Sequence, residues 1–281
     1  VWVARHDADK VSRIDPASGT ESIPVPTPGR IAIGEDSVWV VAEDGRRLVR
    51  IDPKTRKVTK RIPTDVRQGD CDCSPGGLAI ADGELFAAVP RKGRVDRYDA
   101  ITGDDRGTIE MGPGFEGYFA IGGGMLWGVE SPVQGLSEAS FLVRIDLSSN
   151  KRKRNNLGGP SYLSGVTYSE GGVWIADAAN AQNRVVRFDP KTLGTTGAKI
   201  PTALSGDDIA GAAPGVILVW EPGDGHLTRV DSNTIEAAGS QKPRGYRTKQ
   251  EVNRVWSDLA VADGAAWVTD PAAGLVHKLD F

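Results

Sequence analysis

One short motif, an apolar strand ending in a basic residue, an apolar residue and an aspartate, recurs seven times along this chain of 281 residues. Its copies read VSRIDP at 11–16, LVRIDP at 48–53, VDRYDA at 95–100, LVRIDL at 142–147, VVRFDP at 185–190, LTRVDS at 227–232 and VHKLDF at 276–281. The shared aspartates, from Asp15 to Asp280, are separated by 37, 47, 47, 43, 42 and 49 residues. A period of about 40 to 50 residues built from short strands is typical of propeller repeats.

Other short apolar strands surround each copy of this motif. One lies ahead of every copy, as VWVA at 1–4, VWVV at 38–41, LFAA at 85–88, LWGV at 126–129, VWIA at 173–176, ILVW at 217–220 and AWVT at 266–269. Most copies also have a leading strand and a trailing strand, as IAIGEDS and VTKRIPT show for the second copy. Such strands, bounded by Gly, Asp and Pro turns, are typical of an all-β fold.

Four strands per repeat predict an all-β, seven-bladed β-propeller of four-stranded antiparallel blades, built as a single domain over 1–281. The first copy lacks its leading strand, and the last copy lacks its trailing strand. We therefore expect the last blade to meet the first and close the ring, with a preceding strand removed or supplied from elsewhere. If the terminal copies merge into one blade, the ring has six blades instead.

Charge and hydropathy exclude two classes of partner. The net charge is −3 and the basic residues are spread along the chain, whereas phosphate binding needs a coherent basic surface. No apolar run approaches the ~20 residues that are needed to cross a bilayer. The sequence therefore predicts a propeller, expected to be a monomer, that neither binds nucleic acid nor spans a membrane.

The two cysteines, Cys71 and Cys73, form an isolated CxC in GDCDCSPGG. Two free thiols in a loop and a strained local disulfide are both consistent with this spacing. A metal site is a third interpretation, although zinc usually needs four ligands and no further Cys or His pair lies nearby. The disulfide interpretation would suit an exported protein, and the sequence favours export.

The opening of the chain, VWVA followed by VSRIDPASG and IPVPTPGRIAIGEDSVWV, resembles the YVTN and streptogramin-lyase-like repeats of bacterial β-propellers. The resemblance extends over nearly the whole chain and is clearest in the first, second and fifth repeats. It implies a propeller fold and an extracytoplasmic protein, either secreted or membrane-tethered. Such propellers include binding modules, sensors and enzymes, so the function has to be inferred from individual residues.

Residues that recur in every repeat are expected to serve the scaffold, because they cannot distinguish one ligand. The aromatic residues of the second strands are predicted to pack between blades, namely Trp2, Trp39, Phe86, Trp127, Trp174 and Trp267. The repeated basic residues, Arg13, Arg50, Arg97, Arg144, Arg187, Arg229 and Lys278, and their neighbouring aspartates are expected to form structural ion pairs or turn hydrogen bonds. Function should lie where the repeats differ.

Charged residues that differ between repeats fall in the loops expected on one face of the propeller. The first three repeats contribute basic residues, namely Arg5, His6, Arg30, Arg46, Arg67, Arg91 and Lys92. The last four contribute acidic residues, namely Glu130, Asp177, Asp207, Asp208, Glu221, Asp258 and Asp270. A rim with opposite potentials would orient a dipolar small molecule or one surface of a partner protein. A calcium or magnesium ion among the acidic residues is an alternative.

Two long loops enter innermost strands, at 64–77 and 240–258, and we expect both to lie over the same face. The second is a candidate lid or partner-binding flap, with Trp256 packed on the rim. Tyr118 and Tyr162 are expected near the entrance of the central channel, where their rings are positioned to stack on a ligand.

The resemblance to streptogramin lyases implies a test for catalysis. Those enzymes use a histidine at the entry of an innermost strand, a glutamate after a second strand and a bound magnesium ion. The strand entries here read PGRIA, PGGLA, EGYFA, SGVTY, GDDIA and WSDLA, without a histidine. The chain contains only His6, His226 and His277, and no hydrolase elbow, zinc-protease motif or phosphate-binding loop is present.

The sequence therefore favours a non-catalytic, extracytoplasmic binding or sensor propeller whose ligand, a small molecule or a partner protein, contacts the charged loop face. The alternative is a lyase or hydrolase that holds a divalent metal ion at the acidic side of the rim.

Overall fold

The computed structural model describes residues 1–15, 17–66, 77–131, 139–157, 163–177, 184–201, 208–221, 223–246, 258–271 and 273–281. The chain comprises two compact units, Val1–Tyr118 and Phe119–Phe281. Apart from two 3-10 turns, His6–Ala8 and Pro90–Lys92, all regular structure in the described residues is β-strand. No helix in this part of the chain is long and apolar enough to span a membrane.

The first unit contains three antiparallel sheets whose strands pair in sequence order. Sheet 1 consists of β1 (Trp2–Arg5), β2 (Lys10–Asp15) and β3 (Gly19–Pro24), sheet 2 of β4 (Ile31–Gly34), β5 (Ser37–Ala42), β6 (Arg47–Asp52) and β7 (Lys57–Pro63), and sheet 3 of β8 (Leu78–Ala81), β9 (Glu84–Val89), β10 (Arg94–Asp99) and β11 (Asp105–Glu110).

The second unit begins within the first strand of sheet 4. Sheet 4 consists of β12 (Phe115–Gly122), β13 (Met125–Glu130), β14 (Phe141–Asp146) and β15 (Arg152–Asn156), and sheet 5 of β16 (Leu163–Ser169), β17 (Gly172–Asp177), β18 (Arg184–Phe188) and β19 (Thr195–Pro201). Sheet 6 consists of β20 (Asp208–Ala213), β21 (Val216–Glu221), β22 (His226–Asp231) and β23 (Glu236–Gln241), and sheet 7 of β24 (Leu259–Ala262), β25 (Ala265–Asp270) and β26 (Leu275–Asp280).

The fold is the seven-bladed β-propeller predicted from the repeats, with each sheet forming one blade. Seven separate sheets are present in the described residues, so the terminal repeats do not merge into a six-bladed arrangement. Sheets 2 to 6 have four strands each, whereas sheets 1 and 7 have three. This confirms the uneven strand count that the sequence predicts for the first and last repeats.

The second strand of each sheet supplies most of the core. Every residue of β5, β17 and β21 is buried, because both faces of a central strand are covered by neighbouring sheets. Neighbouring sheets pack through these strands within each unit: Trp39 of sheet 2 joins a cluster with Leu85 and Ala87 of sheet 3. Side chains alternate between the two faces of a strand, so β17 contributes Val173 and Ile175 to a cluster with sheet 4 and Trp174 to a cluster with sheet 6.

The repeated aromatic residues lie in these interfaces, as the sequence predicts. Trp39, Phe86, Trp127 and Trp174 are no more than 2 % exposed. The indole of Trp39 donates a hydrogen bond to the carbonyl of Ala100 at 2.8 Å, so its one polar atom is satisfied. The aromatic residues of the two terminal sheets, Trp2 and Trp267, are only partly buried.

The repeated aspartate closes the turn between the third and fourth strands. Oδ1 of Asp146 accepts hydrogen bonds from the backbone N–H groups of Ser148 and Ser149, both at 2.9 Å. The same pattern recurs at Asp15, Asp52, Asp99, Asp189 and Asp231. Of the two roles predicted for these aspartates, turn hydrogen bonding is therefore the general one. The predicted ion pair with the neighbouring aspartate forms at Arg13 and at Lys278, with N–O distances of 3.7 and 3.4 Å. Arg144 instead donates to the carbonyl of Pro190 at 2.7 Å.

Truncation of a repeated aromatic side chain that is wholly buried is expected to cause a large loss of stability. Trp174→Ala should lower the free energy of unfolding by about 3 to 5 kcal/mol, because it removes a wholly buried indole and leaves a cavity. Trp267→Ala is the matched control, since Trp267 has the same position in sheet 7 but is only partly buried. Urea denaturation followed by circular dichroism measures both effects. Equal losses in the two variants would contradict the assigned packing role.

The turn aspartates predict a pH-dependent contribution to stability. The Ser148 hydroxyl and the backbone N–H of Ser149 hold the pKa of Asp146 at about 2. An unfolded aspartate has a pKa of about 3.9, so this stabilisation is complete above that pH and is lost as the pH falls toward the folded value. Asp146→Ala should therefore destabilise the protein more at pH 7 than at pH 3, as measured by urea denaturation. A difference that is unchanged between the two pH values would contradict this account.

Candidate functional site

Four acidic residues lie at one equivalent position in the four sheets of the second unit. Glu130, Asp177, Glu221 and Asp270 are the last residues of β13, β17, β21 and β25. The sequence places these residues in loops, whereas the structure places each at the end of a second strand. The corresponding residues of sheets 2 and 3 are Ala42 and Val89.

All four carboxylates are buried. Glu130 and Asp177 are 5 % and 6 % exposed, and Glu221 and Asp270 are 0 % exposed. A buried ionised carboxylate is costly unless it has hydrogen-bonding or charged partners. The partners of each carboxylate therefore decide what this position can do.

In sheets 4 and 5 the partners are arginines of the same sheet. Glu130 forms an ion pair with Arg152, and its second oxygen lies 3.8 Å from a guanidinium nitrogen of Arg154. Burial raises the pKa of Glu130, although the two guanidinium groups oppose this shift. Asp177 accepts hydrogen bonds from Arg184, whose Nε lies 2.9 Å and Nη2 2.8 Å from Oδ2.

In sheets 6 and 7 the carboxylates contact a hydroxyl, an imidazole and a backbone amide. The hydroxyl of Thr228 donates to Oε1 of Glu221 at 2.7 Å. Oδ2 of Asp270 lies 3.3 Å from Nε2 of His277, and Oδ1 accepts the backbone N–H of Ala273 at 3.0 Å. These two carboxylates are thus held in place by polar groups of their own sheets.

Asp208 and Asp258 converge beside this position at the start of the first strands of sheets 6 and 7. The backbone N–H of Leu259 donates to Oδ2 of Asp208 and to Oδ1 of Asp258, both at 3.1 Å. Asp258 is tied to the end of the second strand, because its own N–H donates to the hydroxyl of Thr269 at 2.8 Å. Both aspartates are partly exposed, so two carboxylates from adjacent sheets share one amide donor at the surface.

We call the six residues Glu130, Asp177, Asp208, Glu221, Asp258 and Asp270 the acidic edge. Of these, only Asp208 and Asp258 are exposed enough to contact a ligand directly. Glu130 and Asp177 are balanced by their arginine partners and add little net negative potential, so any contribution of the buried carboxylates to the potential comes from Glu221 and Asp270.

An aromatic cluster, which the sequence did not indicate, lies beside sheets 6 and 7. The ring of Tyr246 packs edge-on against Trp220 at 5.0 Å and lies 6.1 Å from the ring of His277. A Cβ at Gly225, whose φ is +75°, would lie 2.5 Å from Cδ1 of Tyr246, so glycine is required for this approach. The only sequence signal was an aromatic residue within the long loop at 240–258.

The predicted basic residues belong to the first unit. Arg5 and Arg91 are exposed, and Arg30 is partly buried. His6 lies between two carboxylates, with Nδ1 3.0 Å from Asp7 and Nε2 3.3 Å from Asp44. The hydrogen bond to Asp7, assisted by Asp44, raises the pKa of His6 although partial burial acts in the opposite direction.

Several predicted residues remain without a structural description. Arg67, Tyr162, Asp207, Trp256 and the two cysteines lie outside the described residues, as does most of both long loops. Tyr118 is described and lies, partly buried, on β12. Within the described residues, no group of three or more His, Cys, Asp or Glu side chains is arranged to hold a metal ion. The predicted calcium or magnesium site therefore stays a prediction.

Comparisons with known proteins identify relatives in structure but not in sequence. No protein-family model matches the chain, and no curated protein matches it. Virginiamycin B lyase from Staphylococcus aureus superimposes with a TM-score of 0.77 and 19% identity, over 100% of this chain and 90% of the enzyme. A streptogramin B lyase gives 0.73 and 16% identity over 99% and 89% of the two chains.

A third solved structure shows that this likeness is not restricted to lyases. Hydrazine synthase from Kuenenia stuttgartiensis gives a TM-score of 0.74 and 14% identity, over 100% of this chain and 92% of that chain. Identities this low indicate a shared fold only. The structural neighbours are consistent with the streptogramin-lyase-like propeller that the repeats resemble, and they leave the activity of this chain to be argued from its own residues.

The environment of His6 predicts a raised pKa in solution. An NMR titration should give a pKa above the usual value of about 6.5, and Asp7→Asn should lower it, because the hydrogen bond to that carboxylate is the largest cause of the shift. The associated stabilisation is complete below pH ~6.5 and is lost as the pH rises through the folded pKa. Asp36→Asn, a change at a carboxylate paired with Lys54, should leave the titration unaltered. An unshifted His6 would contradict this geometry.

Proposed function

We propose that this chain is a non-catalytic binding propeller whose acidic edge receives a positively charged group of a small molecule or a partner protein. The observation that carries the proposal is the convergence of Asp208 and Asp258 on the N–H of Leu259. Two ionised carboxylates this close repel each other, and a cationic group placed between them relieves that repulsion. An ammonium or guanidinium group is the chemistry that such a pair recognises.

The rest of the acidic edge supports a functional role, because the scaffold does not need charge there. Sheets 2 and 3 have Ala42 and Val89 at the position of the buried carboxylates. An apolar residue therefore satisfies the packing of a second strand at this point. A buried carboxylate is costly, and a negative potential that attracts a cationic ligand gives Glu221 and Asp270, which lie at this position in sheets 6 and 7, a purpose.

A binding role is favoured over catalysis because the buried carboxylates of Glu221 and Asp270 already have hydrogen-bonding partners within the protein. Thr228 holds Glu221, and His277 lies against Asp270 with its side chain only 15% exposed. A general acid or base must reach the proton of a bound substrate. Glu221 and Asp270 are instead buried, each one residue along its strand from a partner of the exposed pair: Trp220 pairs with Asp208, and Thr269 accepts a hydrogen bond from Asp258.

The location and the wider role are part of the same proposal. We infer that the chain acts outside the cytoplasm, secreted or tethered to a membrane, as the sensor part of a larger protein. The resemblance of its repeats supports this inference. Fractionation of cells that express the native protein tests this inference: recovery in the secreted or membrane fraction is expected, and recovery in the cytoplasmic fraction would contradict it.

A metal-dependent lyase or hydrolase is the second candidate function. It is favoured by the fold, which this chain shares with virginiamycin B lyase, and by the carboxylate oxygens of Asp208 and Asp258, which suit a hard divalent cation. A solved structure of a catalytically inactive variant of that enzyme contains quinupristin, which is therefore a compound to test.

Cation recognition is tested by isothermal titration calorimetry with spermidine and tri-arginine. Asp208→Asn and Asp258→Asn should each weaken binding by roughly three- to tenfold, because each removes one charge and retains an oxygen that accepts the Leu259 hydrogen bond. The matched control is Asp263→Asn. Asp263 lies in the turn between β24 and β25, at the opposite end of β24 from Asp258. Binding that is absent, or equally weakened by the control, would contradict the proposal.

Two measurements in the presence of Mg²⁺ or Ca²⁺ distinguish the enzyme alternative from the binding proposal. The first is the melting temperature of the protein, and the second is cleavage of quinupristin, followed by mass spectrometry. The binding proposal predicts no cleavage and no shift that depends on Asp208. Metal-dependent stabilisation together with cleavage of quinupristin would instead establish the lyase or hydrolase.

A further inference from the structure

A recurring ion pair joins the fourth strand of one sheet to the sheet that follows it. It involves the fourth-strand residue that lies opposite the repeated arginine of the motif. In sheet 1 this residue is Glu21, which forms an ion pair with Arg56 in the turn after the third strand of sheet 2. In sheet 2 it is Lys60, whose Nζ lies 3.3 Å from Oδ1 of Asp104 in the corresponding turn of sheet 3. The signs of the charges are reversed between the two pairs, but the position is the same.

Sheet 4 has the first member of this ion pair without the second. Its fourth-strand residue is Lys153. In the following turn the residue equivalent to Asp104 is Gly194, because each accepts a backbone hydrogen bond from the aspartate that begins its turn. Glycine provides no carboxylate, and Lys153 forms no ion pair with any described residue. In sheets 3, 5 and 6 the residue opposite the arginine is uncharged, namely Gly107, Thr196 or Gly239.

The turn of sheet 5 lies over the face of sheet 4 that carries Lys153. Arg144, the partner of Lys153 across the strands, donates from Nη1 to the carbonyl of Pro190 at 2.7 Å. Asn155, two residues along β15 and therefore on the same face, donates from Nδ2 to the carbonyl of Leu193 at 2.9 Å. The turn is thus anchored on both sides of Lys153.

Space for a carboxylate is available at the end of this turn. Among the described residues, a Cβ built on Gly194 would meet only Oγ1 of Thr192 within 4 Å, at an ordinary contact distance of 3.4 Å. Lys153 is exposed and lies directly opposite Arg144, and like charges at paired positions repel each other. A carboxylate from another molecule would relieve this repulsion from the position that Asp104 occupies in sheet 3.

The charge around Lys153 favours an anionic partner. Residues 151–154 read KRKR, and all four are exposed. The two arginines of this run share a single buried carboxylate, that of Glu130. The turn carboxylates of the two sheets, Asp146 and Asp189, accept hydrogen bonds from the N–H groups of their own turns. The run therefore keeps a net positive charge at the outside of sheet 4.

The open edge of sheet 4 favours a peptide as this partner. β15 is the last strand of the sheet, and no strand in the described residues pairs with its outer side. Backbone N–H and C=O groups along such an edge can pair with an added strand. A polypeptide can extend the ladder in this way, whereas a sulfated or phosphorylated polysaccharide has no backbone amides to do so. The basic side chains of the edge select an acidic segment.

We propose that the outer edge of sheet 4 binds an acidic, extended segment of a partner protein, one carboxylate of which pairs with Lys153 in place of the side chain that Gly194 lacks. The affinity is expected to be modest and to fall with salt, because exposed ion pairs are individually weak and are screened. This surface recognises a negatively charged partner and uses neither Asp208 nor Asp258. The proposal therefore stands or fails separately from the proposed function.

Fluorescein-labelled hexaglutamate is the probe, and its binding is measured by fluorescence anisotropy at low ionic strength. Lys153→Ala should weaken binding by roughly two- to fivefold, which is the range expected for one exposed ion pair. The matched control is Lys60→Ala at the equivalent position of sheet 2. It should leave binding unchanged, because Asp104 already pairs with Lys60.

A second pair of variants supplies the carboxylate from within the chain. Gly194→Asp should form the ion pair that Asp104 forms in sheet 3, so it should also weaken hexaglutamate binding by roughly two- to fivefold. Thr20→Asp adds the same charge at an exposed residue of β3 and should have no effect. Melting curves of all four variants establish that they are folded.

Two further probes test the kind of partner. Hexaglutamate with methylated backbone nitrogens cannot extend the ladder and should bind more weakly than the unmodified peptide. A heparin fragment that binds through Lys153 more tightly than hexaglutamate would indicate a polysaccharide and overturn the peptide proposal. Absence of hexaglutamate binding, equal effects of a variant and its control, or equal binding of the methylated peptide would also overturn it.

Discussion

Burial of the second strand of each sheet is the constraint on which the rest of the structure depends. A strand such as β17 is buried at every position, so both of its faces must be covered by neighbouring sheets. The wholly buried indoles of Trp39 and Trp174 occupy the same position in different repeats because each fills such an interface. Repeats with a short period can satisfy this requirement only by stacking on one another, since no single sheet of this size buries both its faces alone.

The same constraint explains why a charged residue at the end of a second strand indicates a role other than packing. Ala42 and Val89 satisfy the packing there, so Glu221 and Asp270 are not needed by the fold. Their cost is offset locally by contacts with Thr228 and His277. Asp208 and Asp258 are the members of the acidic edge that reach the surface, which is why we place cation recognition at this pair.

Much of the fold could be predicted from the sequence, and less of the candidate site. The strands, their order within each sheet, the uneven terminal sheets and the buried position of Trp127 all follow from the repeat, because periodic apolar residues report burial directly. The acidic residues were identified too, but they were assigned to solvated loops. A charged residue after an apolar run does not show whether the strand ends before it or includes it. Glu221 is included in its strand and has no exposed surface. The aromatic cluster at Tyr246 had no periodic signal to indicate it.

By itself, the sequence determined that seven repeats of short antiparallel strands are present and that each carries an aspartate after its third strand, because each of these features depends on neighbours a few residues apart. The structure decided between seven and six sheets and assigned the aspartates to the turns. Only the tertiary structure decided that Asp208 and Asp258, 50 residues apart, share the N–H of Leu259. It alone decided that Tyr246 packs against Trp220 and lies beside His277. Both depend on how adjacent sheets pack, and the distance between side chains of different sheets is set by that packing rather than by any local pattern.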